Sequence, residues 1–435
     1  MKKVGFHTLG CKVNQYETEA MEELFEKKGY EIIDSDEIAD IYVINTCTVT
    51  NFGDRKSRQF IRRAKKLNPN AIIAVVGCYS QIAPEEVAEI EGVNVIIGTT
   101  QREKIVELCE KVALENEKIN IVKDISKHKD FEKLNIVDIK EKTRANIKIQ
   151  EGCNQFCSYC IIPYARGPIR SRELYDIIEE VKRLSDAGFK EIILTGIHIA
   201  SYGKNTNGPG LIDVIEEIAN VDGIERIRLS SIEPTLIDEE FMERAIKTKK
   251  LCDHFHLSLQ SGSDTVLKRM NRKYTTDEYR NIVNLIRKYM PNAGITTDII
   301  VGFPGETDEE FKDTYNFVKE IGFSKVHVFK YSPREGTVAS KFKDQIHGSV
   351  KQSRSETLIS LADKMTYDFN QKFIGEKFEV LFEEENSKDP SFMEGYTTNY
   401  IRVKAKASSE IRGSILSTEL IGIEDEFLIG KIKEL

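Results

Sequence analysis

The chain has 435 residues, 40% of them hydrophobic and 31% charged, and carries a formal net charge of −8. That length exceeds one ordinary domain, and the composition excludes a disordered or low-complexity chain. The acidic balance excludes a global basic field, so any nucleic acid must be held by local patches. Met1 to Thr8 lacks the apolar run and small-residue cleavage site of a signal peptide. No apolar stretch approaches the ~20 residues of a membrane span. A cytoplasmic protein with no membrane partner is therefore expected, in which the eight cysteines serve as ligands sooner than as disulfides.

Between residues 1 and 115, short apolar runs alternate with amphipathic segments, the pattern of βα units around an open parallel sheet. Strands are expected at Val4 to Thr8, Ile41 to Asn45, Ile72 to Val76 and Val93 to Ile97. The first three lead into Gly10-Cys11, Thr46-Cys47 and Gly77-Cys78, so each thiol lies just beyond the carboxyl end of a strand. Parallel strands present those ends along one edge, where ligands bind in open α/β sheets. One such cysteine would read as a small apolar residue closing a buried strand. Three repeats of the pattern favour a three-thiol cluster site. Cys109, inside a helix-like stretch from Lys104 to Ala113, and Cys252, just before a strand, are expected in the core. Asp54 to Leu67 reads as a helix with Phe60, Ile61, Ala64 and Leu67 at helical spacing and Arg55, Arg58, Arg62, Lys65 and Lys66 opposite. Following on Cys47, that basic face suits a polyanion such as RNA, and an ordinary solvated face is the plainer alternative.

Residues 116–143, rich in Lys, Glu and Asp, read as a connector. A second βα series occupies residues 144–373, with strands at Ile147 to Gln150, Ile192 to Thr195, Ile227 to Ser230, Phe255 to Gln260, Ile295 to Val301 and Val326 to Phe329. Six strands with connecting helices make a partial (β/α)6 version of the TIM-like barrel, whose active-site loops lie at the carboxyl ends. The first of these loops is Glu151-Gly152-Cys153-Asn154-Gln155-Phe156-Cys157-Ser158-Tyr159-Cys160. Three thiols in C-x3-C-x2-C spacing can hold three irons of a four-iron cube and leave the fourth open to a small molecule, so a cluster with an open site is expected. A structural zinc site would want a fourth ligand, and no His or further Cys lies nearby.

A long helical pattern from Ser349 to Phe373 ends at Gly375, and residues 374–435 turn to alternating, β-rich sequence. Glu379 to Phe382, Asn399 to Lys404 and Phe427 to Ile432 read as strands of a small barrel. Tyr400, Arg402, Lys404 and Lys406 would share one face with Ile401 and Val403 opposite, which suits RNA through stacking and phosphate contact. A solvated strand face is again the plainer alternative.

The loop from Cys153 to Cys160 resembles the signature of the radical S-adenosylmethionine (radical SAM) enzymes, in which the open iron is chelated by the amino and carboxylate groups of SAM. By that resemblance Thr195, Ser231, Glu233, Gln260 and Arg272 occupy places where the family contacts SAM. The order of the three parts resembles the radical SAM methylthiotransferases over nearly the whole chain. The resemblance assigns Cys153, Cys157 and Cys160 to one [4Fe-4S] cluster, Cys11, Cys47 and Cys78 to a second, and residues 374–435 to a TRAM RNA-binding domain. Gly10-Cys11-Lys12-Val13-Asn14-Gln15-Tyr16-Glu17-Thr18 looks most like the branch acting on threonylcarbamoyladenosine beside the tRNA anticodon. It implies methylthiolation of C2 by a 5'-deoxyadenosyl radical with no side-chain acid or base. The implied cofactors are two clusters and SAM; the implied partners are tRNA, an electron donor such as flavodoxin or ferredoxin, and a sulfur source. Four alternatives stay open: action on isopentenyladenosine in tRNA, action on a ribosomal protein, a second cluster that only relays electrons, and a non-enzymatic iron–sulfur or zinc RNA-binding protein.

Overall fold

The computed structural model describes residues 1–134, 143–206 and 208–433. Its N-terminal part is a six-stranded, wholly parallel sheet of β1 (Lys3–Thr8), β2 (Glu31–Asp34), β3 (Ile41–Thr46), β4 (Ile72–Gly77), β5 (Val93–Ile96) and β6 (Ile119–Asn120), in the order β2-β1-β3-β4-β5-β6. Two separate apolar clusters cover the two faces, one holding Val43, Ala74 and Val76 and the other Tyr42, Ile73 and Val75. That is why β3 and β4 read as continuous apolar runs and not as alternating ones. β2 and β6 were not expected. β6 lies in the stretch read as a connector, and a two-residue pairing leaves no period to detect.

Three helices start at the thiols. α1 (Lys12–Lys27) begins directly after Cys11, α2 (Asn51–Leu67) soon after Cys47, and α3 (Cys78–Ile82) at Cys78 itself. α1 also fastens this part to the next: its Met21 and Phe25 join the sheet core, while Tyr16 and Ala20 join the core of the central part.

The central part contains β7 (Arg144–Glu151), β8 (Arg170–Ser171), β9 (Glu191–Gly196), β10 (Arg226–Leu229), β11 (His254–His256), β12 (Gly294–Val301) and β13 (Lys325–Lys330). They form two sheets, β10-β9-β7-β8 and β11-β12-β13. Parallel bridges at Ile227–Leu251 and Ile232–Leu257 join the two. Six parallel strands thus run in one open arc, and antiparallel β8 closes its edge beside β7. The strand expected from Phe255 to Gln260 stops at His256. Gln260 takes φ 73°, in the left-handed region, although its amide still reaches the Asp298 carbonyl at 2.9 Å.

A helix from Gly348 to Gln371 leads into a closed barrel of β14 (Lys377–Glu385), β15 (Phe392–Tyr396), β16 (Arg402–Lys406), β17 (Ile415–Glu424) and β18 (Phe427–Ile432), ordered β14-β15-β16-β18-β17. The strand expected from Asn399 begins only at Arg402. Tyr400 takes φ 69° in a turn whose amides bond back to Thr397, so its ring leaves the face that carries Arg402 and Lys404. Guanidinium groups of β10 dock this barrel: Arg228 donates to the carbonyls of Thr397 and Thr398, and Arg226 to those of Glu379 and Tyr396. Among the described residues no helix is long and apolar enough to cross a membrane.

Candidate active site

The loop after β7 is shaped by its backbone. Gly152 has φ +74°, and a Cβ there would stand 1.9 Å from the Pro168 carbonyl oxygen, so only glycine lets the chain turn here. The Cys153 amide then donates to the Gly167 carbonyl at 3.0 Å, and the Cys160 amide to that of Cys157 at 2.9 Å. The middle of the loop is pinned by the segment after residue 268. The Ser158 amide donates to Met270 O at 3.0 Å, its hydroxyl to Arg269 O at 2.8 Å, and Asn271 Nδ2 to Phe156 O at 2.9 Å. Arg272 reaches Cys157 Sγ at 3.3 Å and is itself held by Glu233, with both carboxylate oxygens at 2.9 Å. His198 stands 3.6 Å from that carboxylate.

The other three thiols converge from three strand ends. Gly10, at φ +114°, leaves so little room that a Cβ would sit 2.9 Å from Cys47 Cβ and 3.2 Å from its sulfur. Cys11 is exposed, Cys47 half-buried and Cys78 buried. Asn14 Nδ2 ties the carbonyls of Leu9 and Thr46 together at 2.7 and 3.0 Å, locking the loop of Cys11 to that of Cys47. Arg166 Nε donates to Cys78 Sγ at 3.1 Å.

Burial pushes the Cys78 and Cys160 thiols up to about 12 and Cys153 up to about 11. Such sulfurs become thiolates when a cation binds them, since a coordinating thiol is deprotonated outright. Each set offers three thiols with a guanidinium donor on one sulfur, and the donors are soft sulfur alone, the ligand chemistry of iron–sulfur clusters. Among the described residues no three Cys, His, Asp or Glu side chains gather closely enough for a single metal ion.

A buried charge network joins the two thiol sets. Glu17, on α1, accepts from Lys148 Nζ at 2.9 Å and Arg166 NH1 at 2.5 Å, and also pairs with Arg102. Glu151, one residue before Gly152, accepts from Lys148 at 2.7 Å and Arg166 at 3.2 Å. Glu132 completes three carboxylates against three cations through Arg102. Burial alone would raise the Glu17 pKa, but Arg102, Arg166 and Lys148 hold it well below the usual carboxylate range. Arg166 bonds Cys78 on one side and Glu151 on the other, so one side chain spans the gap between the two cysteine sites.

A cavity of ≈ 670 Å³ opens between the three parts of the chain, a size that suits a nucleoside. Gly10 and Cys11 line it from the N-terminal sheet, Thr195, Gly196 and Ser231 from strand ends of the arc, and Tyr396 and Tyr400 from the barrel. Tyr400 stacks on His254 at 4.5 Å and on Tyr396 at 4.8 Å, with Arg228 4.6 Å from its ring centroid. Lys12 also lines the cavity, amid Tyr400, Arg144, Arg228 and Glu191.

Of the residues singled out from sequence, Thr195 and Ser231 face this cavity, while Glu233 and Arg272 stand against the Cys157 loop and Gln260 lines neither. Cys109 and Cys252 are buried at 0% and 2% exposure. The basic surfaces are largely answered by acids. Arg58 pairs with Glu86 at 2.9 Å and donates to the Tyr79 hydroxyl, Arg62 lines a shallow cleft with Glu86, Glu89 and Glu91, and Arg55 is exposed. On the barrel, Arg402 pairs with Glu394 and Glu426 and Lys404 with Glu424, all within 2.9 Å. On the strand face expected there, Arg402 and Lys404 are paired with acids, and Tyr400 points elsewhere. Sequence reasoning missed Asn14, Glu17, Lys148, Glu151 and Arg166. The available signal was a Lys and a Glu inside the apolar run of β7, which a buried strand carries only when they are paired.

Residues 147–318 match the family model described as the radical SAM superfamily, and residues 3–98 the one described as uncharacterized protein family UPF0004. The chain is 45% identical over 424 residues to the threonylcarbamoyladenosine tRNA methylthiotransferase MtaB of Bacillus subtilis (strain 168), covering 97% of this chain and 94% of that protein. It is 41% identical to the MtaB protein of Aquifex aeolicus (strain VF5), covering 94% and 98%. It is 37% identical to the tRNA-2-methylthio-N(6)-dimethylallyladenosine synthase of Pelotomaculum thermopropionicum, covering 99% and 97%. Among solved structures, the radical SAM methyltransferase TsrM from Kitasatospora setae, with cobalamin and a [4Fe-4S] cluster bound, matches with a TM-score of 0.58 at 15% identity. The match covers 78% of this chain and 77% of that one, a likeness of fold alone.

Proposed function

The chain belongs to the radical SAM tRNA methylthiotransferases, and we propose that it methylthiolates C2 of N6-threonylcarbamoyladenosine at position 37 of tRNA, using two [4Fe-4S] clusters. The observation that carries this reading is the joint placement of two thiol sets on one body. Cys11 lines a nucleoside-sized cavity, and Arg166 links the Cys78 sulfur to the base of the Cys153 loop. A set used only to relay electrons has no need to line the cavity that admits the substrate. The names of the two most similar relatives quoted above favour threonylcarbamoyladenosine over the dimethylallyl substrate of the third.

Cys153, Cys157 and Cys160 would hold one cluster and Cys11, Cys47 and Cys78 the other, and with SAM these would supply the radical and the sulfur that side chains cannot. The protein's own work is placement. Gly152 and the Ser158 bonds fix the loop, and the Glu233–Arg272 pair keeps a cation on Cys157. Thr195 and Ser231 offer hydroxyls to the bound molecules. Tyr396 and Tyr400 give the barrel side of the cavity an aromatic wall for a base turned out of the anticodon loop. Gln260 belongs to the same SAM-binding set in this reading.

The reading assigns residues 1–115, 144–373 and 374–435 to N-terminal, radical SAM and TRAM domains, with 116–143 as connector. Arg55, Arg58, Arg62, Arg402 and Lys404 supply phosphate contacts around the entrance, several of them by exchanging a carboxylate partner for RNA. The protein works in the cytoplasm, with an electron donor such as flavodoxin or ferredoxin and a separate sulfur source.

The nucleoside profile of tRNA from cells with and without the protein tests this. Loss of the 2-methylthio derivative of threonylcarbamoyladenosine, with the unthiolated nucleoside accumulating, is expected. If only the isopentenyl derivative loses its methylthio group, the substrate is the other one.

A further inference from the structure

We infer that Lys12 is the group that recognises the carboxylate of the threonylcarbamoyl substituent, and so sets the enzyme's choice between an anionic and an apolar N6 group; this rests on the substrate reading above. The arginines in and around the cavity are already engaged. Arg402 pairs with Glu394 and Glu426, Arg144 with Glu383, and Arg228 with Glu191 and the barrel carbonyls. His256 lies 3.2 Å from Asp298, the one carboxylate in the lining, and shares Thr296 with His254. Lys325 and His327 also line the cavity, from β13, and are exposed to solvent.

Lys12 differs from the arginines in having no partner and from Lys325 in being half-buried. Among the described residues it makes no side-chain hydrogen bond or ion pair, although it is only partly accessible and follows directly on Cys11. Glu191, a carboxylate among its charged neighbours, is held by Arg228 at 2.7 Å. A partly enclosed ammonium with no partner costs free energy unless an anion arrives with the ligand.

Substrate chemistry supplies that anion at the right distance. In adenine, C2 and the carbon bearing N6 flank the same ring nitrogen, N1. A substituent on N6 therefore projects past the edge that C2 presents. If C2 faces the thiol set at Cys11, the threonyl carboxylate lies within reach of a side chain one residue away, whose four-carbon stem lets the ammonium swing to it. An isopentenyl group in the same place would leave the ammonium unanswered, which is discrimination by an unpaired charge.

The test uses the cluster-loaded enzyme and three anticodon stem-loop RNAs, carrying at position 37 threonylcarbamoyladenosine, its methyl ester, or plain adenosine. Dissociation constants are measured without reductant, and kcat/KM with it. The wild type is expected to favour the free acid over the ester by roughly 10–100-fold, the range of a hydrogen bond to a charged group. Lys12→Met should bring that ratio close to one, and Lys12→Arg should keep most of it. Iron content is read for each variant, so that a ratio is compared only between equally loaded enzymes. A ratio that persists in Lys12→Met overturns the assignment. Equal weakening of both RNAs also overturns it, by showing that Lys12 meets an RNA phosphate. A wild type that favours neither modified loop over plain adenosine would instead overturn the substrate reading, an outcome separable from a wild-type preference that merely ignores Lys12.

Discussion

The thiols of Cys153, Cys157 and Cys160 and those of Cys11, Cys47 and Cys78 are held by different means. The first set lies on one loop whose shape comes from a forced glycine and amide bonds over a few residues. The second is drawn from three strand ends and exists only because β1, β3 and β4 lie side by side. A local loop needs little besides its own turn, whereas an assembled site depends on every contact that keeps its sheet and its neighbours in register. The Glu17–Arg166–Glu151 network sits between the two and ties the assembled set to the local one.

Substituting the two sets separately breaks the comparison most sharply. With Cys153, Cys157 and Cys160 all changed to Ala, release of 5'-deoxyadenosine from SAM should vanish. With Cys11, Cys47 and Cys78 changed, it should persist while the methylthio product disappears, as chromatography of both products will show. Loss of SAM cleavage in both would mean that the sets act as one unit.

Next in size is the network. Removing one partner of a buried ion pair costs about 3–5 kcal/mol. Glu17→Ala should therefore lower unfolding free energy by that order in urea titration, with Lys148→Met and Arg166→Met losing comparable amounts. A loss below ~1 kcal/mol would show that the network does not hold the parts together. Its pH dependence follows from the same pairs. Because the folded-state pKa of Glu17 lies below its usual 4.5, its stabilising share is complete above about pH 4.5 and is lost as pH falls through the lowered value. Denaturation midpoints should fall in acid, and Glu17→Gln should flatten that acid limb.

Backbone strain should separate the sets on a smaller scale. Gly152→Ala forces a Cβ against the Pro168 carbonyl and should damage iron loading at the local loop only. Gly10→Ala presses on Cys47 and should damage it at the assembled set only, each at a cost of about 1–3 kcal/mol. Iron counts and electron paramagnetic resonance of each variant will tell which set is lost. The smallest effect is expected on the barrel. Lys404→Ala removes one exposed ion pair with Glu424 and should change stability by less than ~1 kcal/mol. A larger drop would mean that its packing over Phe427 matters more than its charge.

Local features of the site were legible before any coordinates. The C-x3-C-x2-C loop, the three Gly or Thr followed by Cys, and the six strands of the arc all follow from short-range spacing and periodicity. What escaped was whatever depends on partners far along the chain. Arg166 meets Glu17 across 149 residues and Cys78 across 88, and no local pattern announces such a pair. Tyr400 shows the opposite error. Alternation placed it on a strand face, but its left-handed backbone turned the ring into the cavity, onto His254.

The sequence by itself determined which thiols stand together or at strand ends and roughly where each strand runs, because thiol spacing and apolar period are properties of neighbouring residues. The tertiary structure decided that Cys11 meets the same cavity as Thr195, that one arginine spans both thiol sets, and that Lys12 finds no side-chain partner among the described residues. Those outcomes depend on which distant side chains reach a charge first, and packing alone settles that contest.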